Sequence, residues 1–149
     1  MKQLEFHEVG PPFSEAQLLA LEERVGFTFP ADLVTFLRKN NGGRPLYCEF
    51  FVPGINDTVD FHEVIGIGEP KGIEFWLDEY EGALFEGEFP ERMVPIGFES
   101  FGNGIMVKDD GGVYYWDLDY HYGDGHTTNV YKIADSFSAF IDGLQRVVL

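Results

Sequence analysis

The stretch GFTFPADLVTFLRKNNGG, residues 26–43, decides the first part of the fold. Pro30 suits the start of a helix, because its missing N–H would have no partner in the first turn. Apolar residues then recur with helical spacing, and Asn41-Gly42-Gly43 is typical of a helix end. The apolar residues of the buried side are Leu33, Phe36 and Leu37. The stretch therefore predicts one short helix that begins at Pro30 and stops before the glycines.

A second helix is predicted immediately before this stretch. Ser14 is a favourable N-cap, and Gln17 stands three residues later, where a capping box requires it. Gly26 suits the residue that ends the helix. Residues 1–44 are therefore interpreted as two helices joined by a short connection.

The rest of the chain is predicted to be mainly strand. Apolar and β-branched residues predict strands over residues 47–52, 59–67, 93–98, 105–108, 113–117 and 130–133. Residues 105–117 are predicted to form a hairpin that turns through the Asp-Asp-Gly-Gly sequence at 109–112. Helical spacing predicts a short central helix over 73–81 and a C-terminal helix. The apolar face of the C-terminal helix comprises Phe137, Phe140, Ile141, Leu144 and Val148.

The order of these elements predicts the α+β class. We expect one domain over residues 1–149, built on an antiparallel sheet of about five to six strands. Two N-terminal helices, one short central helix and one C-terminal helix pack on that sheet.

Charge is the most informative feature of the composition. The chain has 149 residues, 26 acidic and 10 basic, with a formal net charge of −16. Residues 45–131 hold 18 of the acids and only three bases, so this segment carries −15 of the total. Such a field repels nucleic-acid phosphates and anionic lipid, which argues against binding to either, and it attracts a basic protein.

The cellular location is predicted from what the sequence lacks. The only cysteine, Cys48, has no second cysteine for an internal disulfide, and its expected state is a buried, inert thiol. No apolar run approaches the roughly 20 residues of a membrane helix, and the first residues do not resemble a signal peptide. The expected location is the cytoplasm.

Three motifs in the same order resemble the SUKH superfamily (Smi1/Knr4-like), which is built around bacterial immunity proteins and a fungal cell-wall regulator. The first is GFTFPADL at 26–33 with NNGG at 40–43, similar to the family's helix, apolar-Pro, helix, Asn-Gly-Gly signature. The second runs from VPIG at 94–97 through FGNGI at 101–105 to GVYYWD at 112–117. The third is IADSFSAFI at 133–141.

The resemblance implies a compact α+β domain that binds a protein toxin, commonly a nuclease, and neutralises it. The residues that carry the motifs are interpreted as structural, and none is a credible catalytic group. They are Pro30, Asn41, Gly42, Gly43, Gly102, Trp116, Phe137 and Phe140.

An acidic belt over residues 74–91 is the first candidate site. It has no lysine or arginine, and aromatic residues alternate with its carboxylates. Aromatic residues ringed by charge are typical of interface hot spots. Two interpretations stay open: a solvated surface, or a surface that binds a basic partner. The candidate partner-binding residues are Glu74, Asp78, Glu79, Glu81, Phe85, Glu86, Glu88, Phe89 and Glu91, together with Asp117 and Asp119.

A second cluster follows the predicted hairpin. Its members are Asp117, Asp119, His121, Asp124 and His126. In an extended strand the first three side chains share one face, so two carboxylates and an imidazole could converge on a metal ion. The alternatives are a polar strand face that continues into a loop, and an extension of the acidic partner surface.

The sequence therefore favours a non-enzymatic immunity protein that neutralises a basic toxin, with no cofactor. A regulatory scaffold that binds a host protein is the alternative. A metal-dependent hydrolase using residues 117–126 is a third hypothesis from a different class. Whether the protein is a monomer or a homodimer is left open.

Overall fold

The computed structural model describes residues 1–81, 90, 92–118 and 129–147. The helices in these ranges are α1 (Glu15–Val25), α2 (Ala31–Lys39), α3 (Ile73–Glu81) and α4 (Phe137–Gly143). The strands are β1 (Phe6–Val9), β2 (Gly43–Pro45), β3 (Cys48–Val52), β4 (Asp57–Asp60), β5 (Glu63–Val64), β6 (Met93–Phe98), β7 (Gly104–Lys108), β8 (Val113–Trp116), β9 (Val130–Ala134) and β10 (Gln145–Arg146). A single 3₁₀ turn, Pro53–Ile55, joins β3 to β4.

The strands form two sheets. Seven of them pair in the order β1-β2-β5-β6-β7-β8-β9, and three pair in the order β10-β3-β4. Every pairing is antiparallel. The predicted α+β class, with two N-terminal helices, one central helix and one C-terminal helix, is confirmed.

The predicted count of five to six strands in one sheet is wrong. The described residues contain ten strands, because β1, β2 and β10 were not predicted. These strands are two to four residues long, too short to show an alternating pattern. The predicted strand over 59–67 is divided: β4 pairs with β3 in the small sheet, and β5 pairs with β6 in the large one.

Both N-terminal helices have the ends that their sequences predict. The Ser14 side chain accepts a hydrogen bond from the Gln17 backbone N–H, and the Gln17 side chain accepts one from the Ser14 N–H. Gly26 ends α1 in the left-handed conformation with φ +85°. Pro30 precedes α2 as its N-cap, and its carbonyl accepts from the Val34 N–H at 3.1 Å.

The residues after α2 join three parts of the chain. Asn41 is 2% exposed, and its side-chain nitrogen donates to the carbonyls of Pro11 and Ile67 at 2.8 and 2.9 Å. Its side-chain oxygen accepts from the Ile67 N–H at 2.7 Å. Gly42 and Gly43 follow with φ +86° and +128°, values that residues other than glycine rarely adopt. This turn therefore fixes where the N-terminal segment and β2 join the large sheet.

The C-terminal helix α4 packs between α2 and the small sheet. Phe137 meets Phe36 of α2 with ring centres 5.0 Å apart, and Phe140 meets Phe50 of β3 at 5.1 Å. Asp32 of α2 accepts hydrogen bonds from the backbone and hydroxyl of Ser138. The helix ends at Gly143, and Leu144 is buried in an extended conformation, so α4 is shorter than predicted. Val148 lies outside the described residues.

The large sheet also contributes to the core. Trp116 of β8 is fully buried and contacts Tyr80 of α3 edge to face, with ring centres 4.9 Å apart. In the small sheet, the Cys48 side chain is buried, and burial raises the pKa of its thiol to about 11. The thiol is therefore protonated at neutral pH, as predicted for an inert cysteine. Among the described residues, no helix has the length and apolar character needed to cross a bilayer.

Candidate functional site

Helix α3 carries the first four acids of the acidic belt. Its buried side is formed by Ile73, Leu77 and Tyr80, which recur with helical spacing and face the core. The four acids, Glu74, Asp78, Glu79 and Glu81, are half-buried or exposed. The belt therefore begins on the solvent-facing side of a helix whose other side anchors it to the sheet.

Three of these four acids have partners among the residues that the structure describes. The guanidinium of Arg24 lies 2.6 Å from a carboxylate oxygen of Asp78 and 3.7 Å from one of Glu81. The Glu74 carboxylate accepts from the Gly68 N–H at 2.9 Å. Part of the charge on α3 therefore holds the helix against α1 and the preceding loop.

The remaining belt residues, Phe85, Glu86, Glu88, Phe89 and Glu91, lie outside the described residues. Their part in partner binding stays a prediction.

An aromatic cleft lies beside α3, with a volume of about 320 Å³. Trp76 and Tyr80 of α3, Phe98 of β6 and Leu118 supply its apolar lining. The Trp76 ring meets Phe98 edge to face at 4.9 Å and Tyr80 at 5.6 Å. Tyr80 is buried and Trp76 is half-buried, so the tryptophan is the accessible part of this aromatic group.

Acidic residues also contribute to this cleft. Glu63 and Glu99 contribute to the wall of the cleft, and Asp60 holds Ser100, another wall residue, by accepting from its backbone N–H at 2.9 Å. Asp60 also accepts from the Ser100 hydroxyl and lies 3.6 Å from the His62 ring nitrogen. The cleft therefore combines aromatic side chains with two acidic residues in its wall, the half-buried Glu63 and the buried Glu99.

Glu99 organises the turn between β6 and β7. It is 2% exposed, and one carboxylate oxygen accepts from the backbone N–H groups of Phe101 and Asn103 at 2.8 and 2.9 Å. Gly102 completes the turn with φ +89°, and the Asn103 side chain accepts from the Leu118 N–H at 2.9 Å. Burial raises the pKa of the Glu99 carboxyl above its ordinary value, although the backbone hydrogen bonds lower it.

The turn presents Phe101 to solvent. Its side chain is 91% exposed, more than any other large hydrophobic residue among those described. Sequence reasoning placed residues 101–105 in a family motif but did not identify Phe101, Glu99, Asp60 or Glu63 as site residues. A large apolar residue at the centre of a glycine-rich turn is the signal that would have found Phe101.

We expect Glu99→Gln to change how stability depends on pH. A raised folded-state pKa means that the protonated carboxyl favours the folded state, and this contribution is lost as the pH rises through that pKa. Glutamine keeps an acceptor for both N–H groups but does not ionise. The stability of the variant relative to the wild type should therefore increase as the pH rises above about 4, the ordinary pKa of a glutamate carboxyl.

Urea unfolding at several pH values measures this difference. Glu23→Gln is the control, because Glu23 is exposed on α1. If the control shows an equal pH trend, the effect comes from general charge repulsion, and the argument from the raised pKa of Glu99 is contradicted.

The second predicted cluster is described only at Asp117. This residue is 8% exposed, its backbone N–H donates to the Asn129 carbonyl at 2.9 Å, and its carbonyl accepts from the Asn129 side chain at 3.2 Å. Asp119, His121, Asp124 and His126 lie outside the described residues. Within the described part of the chain, no three His, Cys, Asp or Glu residues are grouped to hold a metal ion. Metal binding stays one of the three interpretations left open for this cluster.

Comparison with known proteins places the chain in a family. No curated protein matches the sequence. The family model described as the SMI1/KNR4 family (SUKH-1) matches residues 12–143, which include the four described helices and eight of the ten described strands. The chain therefore belongs to the SMI1/KNR4 family (SUKH-1).

Proposed function

We propose that the protein is a non-enzymatic, cytoplasmic immunity protein that binds a basic protein toxin of the nuclease class and neutralises it one to one. Family membership supports a binding role, because the resemblance to this family implies a domain that binds a toxin and neutralises it. The observation that carries the proposal is that residues 45–131 hold −15 of the net charge of −16. The same segment supplies all the described residues that line the aromatic cleft.

Electrostatics explains why such a surface suits this partner. A nuclease binds substrate phosphates in a cationic groove, and carboxylates can occupy the positions that the phosphates would take. Opposite charges accelerate association, and buried aromatic residues slow dissociation. An acidic surface with accessible aromatic groups therefore fits an inhibitor that must find its target quickly and hold it.

The proposal is tested by capture followed by an activity assay. The full chain is immobilised, native lysate is passed over it, and bound proteins are eluted in a salt gradient and identified by mass. We expect a basic polypeptide that leaves only at high salt, and whose purified nuclease activity is lost at a 1:1 ratio with this protein. A neutral or acidic partner indifferent to salt would overturn the proposal and favour the regulatory scaffold.

Charge reversal within the belt gives a sharper measurement. Glu86→Lys combined with Glu88→Lys should slow association with the identified toxin by roughly tenfold and weaken its salt dependence. The matched control is Glu8→Lys with Glu23→Lys, which changes the net charge equally outside residues 45–131. Stopped-flow association rates at two salt concentrations decide the outcome, and equal slowing by both pairs would contradict a role for the belt.

A further inference from the structure

We infer that the aromatic cleft receives an arginine side chain of the basic partner, and that Phe101 packs against the partner beside it. This inference rests on the proposed function and names the site through which it acts. Three features of the structure support it: the size and lining of the cleft, the acidic residues in its wall, and the exposure of Phe101 beside it.

The size and lining of the cleft suit one flat cationic group. Its volume of about 320 Å³ is at the lower end of the range for binding pockets. The half-buried Trp76 is held against Phe98 and Tyr80, so its ring is fixed before a partner arrives. A guanidinium is planar and stacks on aromatic rings, and it is less strongly hydrated than an ammonium group. The aromatic side chains of the cleft therefore favour arginine over lysine.

The charges around the cleft have the complementary sign. Glu63 and Glu99 line it, and Asp60 holds Ser100 at its edge. None of the described residues that line the cleft is a lysine or an arginine. Besides the two acids, the titratable residues of the wall are Tyr80 and His62, and His62 lies beside Asp60. A cation that enters the cleft therefore meets the half-buried carboxylate of Glu63, while the described wall offers an anion no lysine or arginine.

Phe101 extends this site on to the surface. Ser100 and Gly102, on either side of Phe101, line the cleft, so this exposed residue adjoins the cleft along the chain. Hydrogen bonds to Glu99 and Asp60 fix the turn on both sides of the ring. An exposed aromatic side chain on a fixed turn loses little conformational entropy when a partner covers it. Such a residue is typical of an interface anchor.

The test uses defined probes in place of the unidentified toxin. Isotope-labelled full chain is titrated with a capped tetra-arginine peptide, a tetra-lysine peptide and a tetra-citrulline peptide, which has nearly the shape of arginine without its charge. We expect the arginine peptide to shift the NMR signals of the Trp76 indole and the Phe101 and Gly102 amides more than any others. The lysine and citrulline peptides should not give this pattern. Shifts centred elsewhere, or equal affinity for the lysine peptide, would overturn the assignment.

Matched variants separate the cleft from general charge. Phe101→Ala and Glu63→Gln should each weaken arginine-peptide binding by about threefold or more. Leu19→Ala and Glu23→Gln, at exposed positions of α1, should leave it unchanged. A control variant that weakens binding as much as its counterpart would contradict the inference.

The identified toxin distinguishes failure of the site from failure of the function. If Phe101→Ala and Glu63→Gln each neutralise the toxin with an unchanged dissociation rate, the cleft assignment is overturned and the proposed function stands. If the cleft binds tetra-arginine specifically but the captured partner is acidic, the arginine site is supported and the proposed function falls.

Discussion

Gly43→Ala is expected to lower the free energy of unfolding by at least about 3 kcal/mol. The residue has φ +128°, which strains any side chain. A Cβ atom there would lie 1.7 Å from the carbonyl oxygen of Glu8 and 2.7 Å from its carbonyl carbon. Both atoms belong to the backbone of β1, so no rotamer change relieves the collision. β1 must move away from β2, with loss of the packing of Phe6 on Phe36.

Two other glycines distinguish the steric collision at Gly43 from the strain of its positive φ. Gly102 has φ +89°, but a Cβ atom there would meet nothing within 4 Å, so Gly102→Ala should cost only the conformational strain of about 1–2 kcal/mol. Gly143 at the end of α4 also has open space around it, and Gly143→Ala should be neutral or slightly stabilising. Urea unfolding measures all three. A cost at Gly43 no greater than that at Gly102 would contradict the steric argument.

Asn41→Ala is the second substitution with a large expected effect, a loss of about 3–5 kcal/mol. The Asn41 amide pairs with both the N–H and the carbonyl of Ile67, as a neighbouring strand would, and also with the Pro11 carbonyl. Alanine would remove all three bonds at a position that is 2% exposed. Buried backbone groups without partners are costly, because they had hydrogen bonds to water in the unfolded chain.

The neighbouring asparagine is a natural control. Asn40 is half-buried and its side chain makes one long hydrogen bond, 3.4 Å, to the Phe36 carbonyl. Asn40→Ala should therefore cost less than about 1 kcal/mol. Asn41→Asp keeps the acceptor but places a carboxylate against two carbonyls, so it should be severely destabilising at neutral pH and partly recover in acid. If Asn41→Ala costs no more than Asn40→Ala in urea unfolding, the linking role is refuted.

The helices and the central hairpin could be predicted because their signals are local. The capping box at Ser14, the helical spacing over 73–81 and the turn at 109–112 each depend on residues within one or two turns of the chain. The short strands could not be predicted in this way. β2, for example, is three residues long and takes its conformation from pairing with β1 and β5, which are distant in sequence.

The same distinction applies to the candidate site. Net charge and the aromatic residues of α3 indicated a partner surface, but they located it along residues 74–91. The described cleft also requires Glu63 of β5, the turn at 99–103 and Leu118, which only the tertiary fold brings together. Asn41 was recognised as part of a helix end, while its bonds to a residue 26 positions away could not be inferred from one sequence.

The buried thiol of Cys48 can report local opening of the small sheet without any added label. It lies in the middle strand of the small sheet, between β10 and β4. A thiol reagent reacts only with an exposed thiolate. Its reaction rate therefore measures how often β10 or β4 separates from β3. For the same reason, a cysteine introduced at an exposed position can be labelled with a fluorophore while the native one remains unmodified. Association with a partner can then be followed optically without altering the core.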